Sequence, residues 1–179
     1  MRSISKKETA AQGAGEGSAS GFRAFFKRAL GSNKKAPAGR MAIGDGLFGM
    51  AMERMAGEGS LQERGADAIR MLHGALKEYK AVYIIANQAS YDNAPQDESE
   101  RKDTLKLVQG ARAGRASCHL ELGRIHERMG ETGMARIQYN KVEEIALGAV
   151  FLNINNAGDR KTKEAAHEAA AAIERLGRI

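Results

Sequence analysis

The sequence predicts an all-α protein, and three observations support this prediction. Alanine, leucine, methionine, glutamate, lysine and arginine are frequent, and these residues have the highest helix propensities. Only two prolines interrupt the 179 residues, and aromatic residues make up 5% of them. Apolar residues also recur at steps of three and four, which is the spacing of one helix face. A chain of this length can form one domain with a buried core.

The net charge of +6 is concentrated near the N-terminus. Residues 1–40 contain nine Lys or Arg and two acids, which leaves 19 basic and 20 acidic residues among the remaining 139. Residues 1–20 are rich in Gly, Ser, Ala and Lys, and they have no large apolar residue after Ile4. We therefore predict a disordered basic tail over residues 1–20, followed by a nearly neutral folded body.

Residues 21–31 have the pattern of a short amphipathic helix with a basic side. We call this segment the basic arm, and its residues are Phe22, Arg23, Phe25, Phe26, Lys27, Arg28 and Leu30. A linker containing Pro37 is expected to follow it, so that residues 21–40 form one unit. Three roles fit the pattern of the arm: binding an anionic membrane surface, docking on a partner protein, or folding back onto the body of the chain itself.

A Met-rich apolar segment follows over residues 41–56. Its residues 44–49 match a G-x-G-x-x-G pattern, but a dinucleotide-binding motif needs a strand before it, and a linker precedes it here. We interpret these glycines as sites of bending or of close contact between helices. Gly110 and Gly114, one turn apart in a later helix, predict a similar close approach because each costs ~1 kcal/mol relative to alanine.

Ser60 and Glu63 are predicted to form a capping box at the start of a long helix. That helix covers about residues 61–89 and has an apolar stripe at steps of three and four. The stripe consists of Ile69, Leu72, Leu76, Tyr79, Tyr83 and Ala86. At ~1.5 Å per residue the helix is too long for one short hairpin to cover, so we expect it to pack along both later helices.

Three further helices are predicted after the break at Pro95. The first extends to the turn at residues 130–133, the second covers residues 134–150, and the third starts at a capping Asp159 and closes the fold near Leu176. The predicted buried side of the first helix consists of Leu105, Val108, Ala111, Cys118, Leu122, Ile125 and Met129.

Residues 116–149 contain a pattern that is typical of one architecture. The pair Leu122–Gly123 is followed by Ala135, twelve residues after the glycine, and then by Tyr139. This spacing resembles the 34-residue tetratricopeptide (TPR) repeat. The resemblance implies antiparallel helix hairpins, in which the two small residues allow close approach and the tyrosine fills the space beside the crossing. We therefore predict a TPR-like helical domain over residues 41–179 with a C-terminal capping helix.

The resemblance also implies a function, which is to hold another protein on the first helix of the hairpin. The outward positions of that helix are Ser117, Leu120, Glu121, Arg124, Glu127 and Arg128. Families that bind a peptide C-terminus have Lys and Asn where this chain has Leu120 and Arg124. We therefore expect a partner helix or extended segment rather than a terminal carboxylate.

The sequence shows no pattern for catalysis, and none for a metal ion or a cofactor. The lone cysteine, Cys118, excludes an internal disulfide and indicates a reducing compartment. His119 and His126 lack acids or thiols at the spacing of metal ligands, so packing roles are favoured for both. We expect a non-enzymatic protein with no cofactor and no metal.

The expected location is the cytoplasm, because no stretch reaches the roughly 18 apolar residues of a spanning helix and no secretory signal follows Met1. Two alternatives remain open. One is a peripheral membrane protein held by the basic arm, and the other is a subunit of a homo- or hetero-oligomer that buries residues 41–56. A mitochondrial presequence is less favoured because Glu8 and Glu16 are acidic. Nucleic acid is disfavoured as a partner because the neutral body predicts no basic face.

Overall fold

The computed structural model describes residues 36–92, 98–149 and 156–177 of the chain. These residues form helices packed on helices, with no strand among them, which confirms the all-α prediction. The predicted tail over residues 1–20 and the basic arm lie outside the described residues. The helices are α1 (Pro37–Ala56), α2 (Leu61–Asp92), α3 (Glu98–Arg128), α4 (Thr132–Leu147) and α5 (Ala157–Gly177).

Most helix boundaries lie within three residues of the prediction, and the starts of α1 and α4 differ from it for identifiable reasons. α1 begins at Pro37, so residues 37–40, which the prediction assigned to a linker, are helical. Proline suits the first turn of a helix because the N–H it lacks would have no partner there. α4 begins at Thr132 rather than at residue 134. Gly130, which has a φ of 77°, ends the helical conformation after α3, so the turn is shorter than predicted and the next helix starts two residues sooner.

The capping box at the start of α2 is confirmed. The Ser60 hydroxyl oxygen accepts a hydrogen bond from the Glu63 amide at 3.2 Å, and Oε2 of Glu63 accepts from the Ser60 amide at 3.3 Å. Both residues therefore satisfy amides that the first turn of a helix leaves without partners.

The predicted cap of α5 is wrong. Oδ1 of Asn156, not Asp159, accepts the hydrogen bond from the Gly158 amide at 2.8 Å. Asp159 is 2% exposed, and its carboxylate accepts hydrogen bonds from Gln109 at 3.1 Å and from Arg112 at 3.2 Å, both on α3. Asp159 therefore links the start of α5 to α3 through these hydrogen bonds and does not cap its own helix.

α3 is the central helix of the fold. Each helix packs on the next one along the chain, and α1 and α5 also pack on α3, so α3 contacts all four others. α1, α3 and α5 run parallel to one another, with α2 and α4 antiparallel to them, as the paired residues Gly158–Gln109 and Arg175–Glu127 show for α3 and α5. Within the described helices, no Cα of α2 lies within 8 Å of α4, and the same holds for α1 and α5.

Two core clusters share α3. The first joins α1, α2 and α3 around Ala51, Ala68, Leu72, Ala75, Tyr79, Cys118, Leu122 and Ile125. The second joins α3, α4 and α5 around Ala116, Leu120, Ala135, Tyr139, Val142, Ala165, Ala169, Ala172 and Leu176. Because α3 contributes to both clusters, apolar residues on two of its sides are buried, and these residues supply the main hydrophobic stabilisation of the fold.

The predicted apolar stripes are correct in part. On α3, five of the seven predicted residues are buried, but Met129 is half-buried and Leu105 is 53% exposed. The expectation that α2 packs along both later helices is also wrong, since α2 packs on α3 but not on α4.

The ring of Tyr79 explains two of the glycines. A Cβ atom at Gly44 of α1 would lie 2.8 Å from the ring, and one at Gly114 of α3 would lie 2.7 Å from it. The ring therefore fills the space that two glycines leave, and its hydroxyl donates a hydrogen bond to Oδ1 of Asp45 at 2.6 Å. The predicted close contact is confirmed at Gly44 and Gly114, whereas nothing lies within 4 Å of a Cβ at Gly49.

Alkaline solution should destabilise this fold. Burial raises the pKa of Tyr79 and of Tyr139, and their hydrogen bonds to Asp45 and Glu127 raise it further. Burial also raises the pKa of the Cys118 thiol. The unfolded chain loses these protons first, so the free energy of unfolding should fall above about pH 9, by up to ~1.4 kcal/mol per pH unit for each group.

Urea unfolding at about pH 8 and about pH 10.5 measures this effect. In the Cys118→Ala variant, the free energy of unfolding should begin to fall at a higher pH than in the wild type. The thiol has the lowest pKa of the three groups in the unfolded chain, so it causes the part of the fall that comes at the lowest pH. A free energy of unfolding that stays constant between the two pH values would contradict the prediction.

Candidate partner-binding faces

α3 and α4 cross closely where Gly123 of α3 faces Tyr139 of α4. A Cβ atom at Gly123 would lie 2.6 Å from Cδ1 of Tyr139, so the ring rests directly on the glycine. Ala135 is fully buried, Tyr139 is 1% exposed, and the Tyr139 hydroxyl donates to Oε2 of Glu127 at 2.8 Å. The small residues and the tyrosine thus hold α3 and α4 together at short distance.

α1 and α5 both pack on α3 but have no Cα atoms within 8 Å of each other, and the partner-binding residues were predicted on the side of α3 between them. We call this region the α1–α5 groove. Of the six predicted residues, Ser117, Glu121 and Arg124 are half-buried and Arg128 is exposed. Helical spacing places these four on one side of α3, because they are three, four or seven residues apart.

Two of the six predicted residues face α5 instead. Leu120 is 7% exposed and belongs to the second core cluster, so its assignment as an outward residue is wrong. Glu127 accepts hydrogen bonds from the Tyr139 hydroxyl and from Arg175 of α5, the latter at 2.9 Å. Burial alone would raise the pKa of Glu127, but these two hydrogen bonds outweigh it and the net shift is downward. Both residues therefore hold α5 in place.

Charged side chains line the α5 side of the groove. Arg124 forms ion pairs with Glu121 on its own helix and with Glu168 on α5. Partly exposed pairs of this kind typically contribute only about 0–1 kcal/mol to stability, so a partner could rearrange them at small cost.

Apolar side chains line the α1 side of the groove. Phe48 and Met52 pack against the first core cluster but remain half-buried. Methionine side chains adapt their shape to a binding partner more easily than branched ones. The groove therefore combines one adaptable apolar wall with one charged wall.

The histidines of α3 have packing roles, in agreement with the prediction from spacing. Nδ1–H of His119 donates to Oε1 of Gln138 on α4 at 2.8 Å, with the tautomer assigned from the acceptor. Nδ1 of His126 lies 2.5 Å from Oε2 of Glu131, and its side chain is 8% exposed. Both rings help to fix α3 relative to the start of α4.

One further concavity lies between α4 and α5, with a volume of about 350 Å³. It is lined by Glu143, Ala146, Leu147, Lys163, Ala166, His167 and Ala170. Among the described residues, no three His, Cys, Asp or Glu side chains are grouped so that they could hold a metal ion. No described helix is both long and apolar enough to cross a bilayer.

Comparison with known proteins found no matching family model, no matching curated protein and no matching solved structure. What this chain binds therefore has to be inferred from its own surfaces. The helix-on-helix architecture and the grooves on either side of α3 are the features that support such an inference.

Proposed function

We propose that this chain is a non-enzymatic protein–protein interaction module, a TPR-like adaptor or chaperone. It binds a helix or an extended segment of another protein in the α1–α5 groove. The observation that carries the proposal is the layout of the helices: α1, α3 and α5 run parallel, and α1 and α5 pack on α3 without contacting each other. A parallel layer of this kind presents a concave surface that one partner segment can contact along several helices.

The composition of the groove supports a partner with both apolar and polar side chains. Phe48 and Met52 offer apolar surface on one wall, and Ser117, Glu121 and Arg124 offer polar contacts on the floor. An amphipathic helix or a mixed extended segment satisfies both kinds of surface at once. A cytoplasmic location is part of the same proposal, since a chain with a single cysteine does not depend on an internal disulfide.

A second candidate is a subunit of a larger assembly or a peripheral membrane protein. The large apolar residues of α1 favour it, because none of them is fully buried. The surface of α1 that α2 and α3 leave uncovered would then contact another subunit, and the basic arm would bind an anionic membrane.

Filling the α1–α5 groove tests the first candidate. Ser117→Trp places a large ring on the groove floor, whereas Asn140→Trp places the same ring on the exposed side of α4. Ser117→Trp should reduce recovery of one specific partner from native cells by about tenfold or more, because it removes space that the partner occupies. Quantitative mass spectrometry of material purified with each variant measures this, and Asn140→Trp should behave as the wild type.

Equal recovery of every co-purifying protein with both variants would rule out the α1–α5 groove as the binding site. In that case, two measurements distinguish the remaining possibilities. A dimer or larger species in light scattering would favour an assembly subunit. Flotation with anionic vesicles that is lost on deletion of residues 1–35 would favour membrane binding by the arm.

A further inference from the structure

A second groove lies on the opposite side of α3, between α2 and α4. α2 and α4 both pack on α3, but none of their Cα atoms come within 8 Å of each other. The floor of this α2–α4 groove is formed by Arg115 and His119. Arg115 is two residues before Ser117, and His119 is two residues after it. Because residues two apart face opposite sides of a helix, Arg115 and His119 lie on the side of α3 opposite to Ser117.

The α2 wall of this groove is basic. The exposed residues of α2 between residues 71 and 89 include no acid, and His73, Lys77, Lys80 and Ile84 share one side of the helix because they follow one another at steps of four and three. The one acid in that stretch, Glu78, is half-buried and pairs with Arg40 of α1 at 2.9 Å, on the other side of α2. Positive charge on this wall is therefore not balanced from within α2.

The α4 wall combines one positive charge with apolar side chains. Lys141 is exposed, Met134 is 45% exposed and Ile137 is 48% exposed. The Gln138–His119 hydrogen bond shows that this side of α4 faces the groove floor. Met134 and Lys141 are seven residues apart, with Gln138 between them, so they lie on the same side of α4.

Positive groups converge on the floor of the groove. The guanidinium of Arg115 lies 5.1 Å from the centre of the Tyr83 ring. Burial lowers the pKa of His119, the Gln138 hydrogen bond opposes that change, and the nearby charges of Lys141, Arg115 and His73 lower it further. Side chains from α2, α3 and α4 therefore bring positive charge to the same half-buried imidazole.

Lys80, Arg115 and Lys141 have no acidic partners within the described part of the chain, because none of them forms any of its ion pairs. Like charges held close together repel one another, so an added negative charge would be attracted strongly to this groove.

We propose that the α2–α4 groove binds an acidic amphipathic helix of a partner protein. Carboxylates of that helix pair with Lys80, Arg115 and Lys141, and its apolar side contacts Met134 and Ile137. This site is separate from the α1–α5 groove and stands whether or not that groove binds a partner.

A protein helix fits this groove better than nucleic acid does. Exposed Met134 and Ile137 offer apolar surface that a phosphate backbone would leave without contacts. Proteins that bind single strands stack bases on exposed aromatic rings, but Arg115 already covers Tyr83, the aromatic residue at this groove.

A designed peptide provides the test. The probe is a fluorescent helical peptide of about 18 residues, roughly 27 Å long, with leucines along one side and glutamates elsewhere. Control ligands are the same peptide with lysine in place of glutamate and a single-stranded oligothymidine of matched charge. Fluorescence anisotropy with the full chain should show binding of the acidic peptide alone, and added salt should weaken that binding.

Charge reversal locates the site. The double variant Lys80→Glu, Lys141→Glu should weaken binding of the acidic peptide by about tenfold or more, because it places repulsive charges on both walls. The matched control, Arg160→Glu with Lys161→Glu, makes the same charge change on exposed residues of α5 and should leave the affinity unchanged. Circular dichroism confirms that both variants remain helical.

Three outcomes would overturn this proposal: no binding of the acidic peptide, equal binding by the two double variants, or tighter binding of the oligothymidine. The Ser117→Trp variant separates the two grooves. It should bind the acidic peptide as well as the wild type does, even if it has lost a partner from the α1–α5 groove.

Discussion

The Gly123→Ala variant should unfold more easily than the wild type by about 2 kcal/mol, which is typical of overpacked cores. The added Cβ atom would lie 2.6 Å from Cδ1 of Tyr139, closer than two carbon atoms can approach. The ring cannot move aside, because it is 1% exposed and its hydroxyl is bound to Glu127. The gain of up to ~1 kcal/mol in helix propensity offsets only part of this cost. Urea unfolding followed by circular dichroism measures the difference.

Gly49→Ala is the matched control for this variant. Gly49 lies inside α1, and nothing is within 4 Å of a Cβ atom there. This substitution should stabilise the protein by up to about 1 kcal/mol, because alanine favours a helix and meets no neighbour. The double variant Gly123→Ala, Tyr139→Leu should lose less stability than the sum of the losses of the two single variants. Tyr139→Leu removes the ring atoms with which the added Cβ atom at position 123 would clash. A Gly123→Ala variant as stable as Gly49→Ala would contradict the close crossing of α3 and α4.

The Tyr79→Ala variant should lose about 3–5 kcal/mol of stability, as large aromatic residues in cores do. The ring is 3% exposed and rests between Gly44 and Gly114. Because neither glycine has a side chain that could fill the space, the substitution leaves a cavity among three helices. Thermal and urea unfolding measure the loss, and Tyr79→Phe should cost only about 1 kcal/mol because it removes the hydrogen bond to Asp45 alone.

Tyr83→Ala provides the comparison within the same helix. Tyr83 is half-buried and faces the α2–α4 groove, so its removal leaves a space that water can fill. Its cost should be clearly smaller than that of Tyr79→Ala. Equal losses in the two variants would show that the ring of Tyr79 does not join α1 to α3 in the way the contacts indicate.

The sequence contains enough local information to predict the helices and several of their contacts. Helix propensity, the Ser60–Glu63 capping box and the spacing of apolar residues depend on nearby positions; the helices and the capping box are present in the structure, and five of the seven residues predicted as the buried side of α3 are buried. The glycines at 44, 114 and 123 were also interpreted correctly as sites of close contact. Glycine inside a helix is costly, so its presence there indicates that something else needs the space.

The roles of Leu120 and Asp159 could not be predicted from local patterns. Both depend on where α5 lies relative to α3, which is a contact between residues distant in the sequence. One signal was available, since α3 has two apolar stripes, and Ala113, Ala116 and Leu120 form the second. A helix with two such stripes packs on both sides, so its outward positions are fewer than those of a surface helix.

The basic groove was missed because net charge averages over the whole body. The nearly neutral balance beyond residue 40 conceals the separation of charges in space, because Glu78 of α2 pairs with α1 while Lys77 and Lys80 are exposed. The signal that could have revealed the groove is the spacing of His73, Lys77 and Lys80. These residues follow one another at steps of four and three and share the exposed side of α2.

The central position of α3 has a consequence for anyone who wishes to divide this chain into two fragments. A cut between α2 and α3 or in the turn before α4 gives one fragment that keeps residues 98–128 and another that loses them. The fragment that lacks α3 exposes the apolar side chains that packed on α3. The fragment that contains α3 exposes the side of α3 that the helices of the other fragment covered. Neither piece is self-sufficient, so we expect the two to recombine when mixed rather than to fold alone.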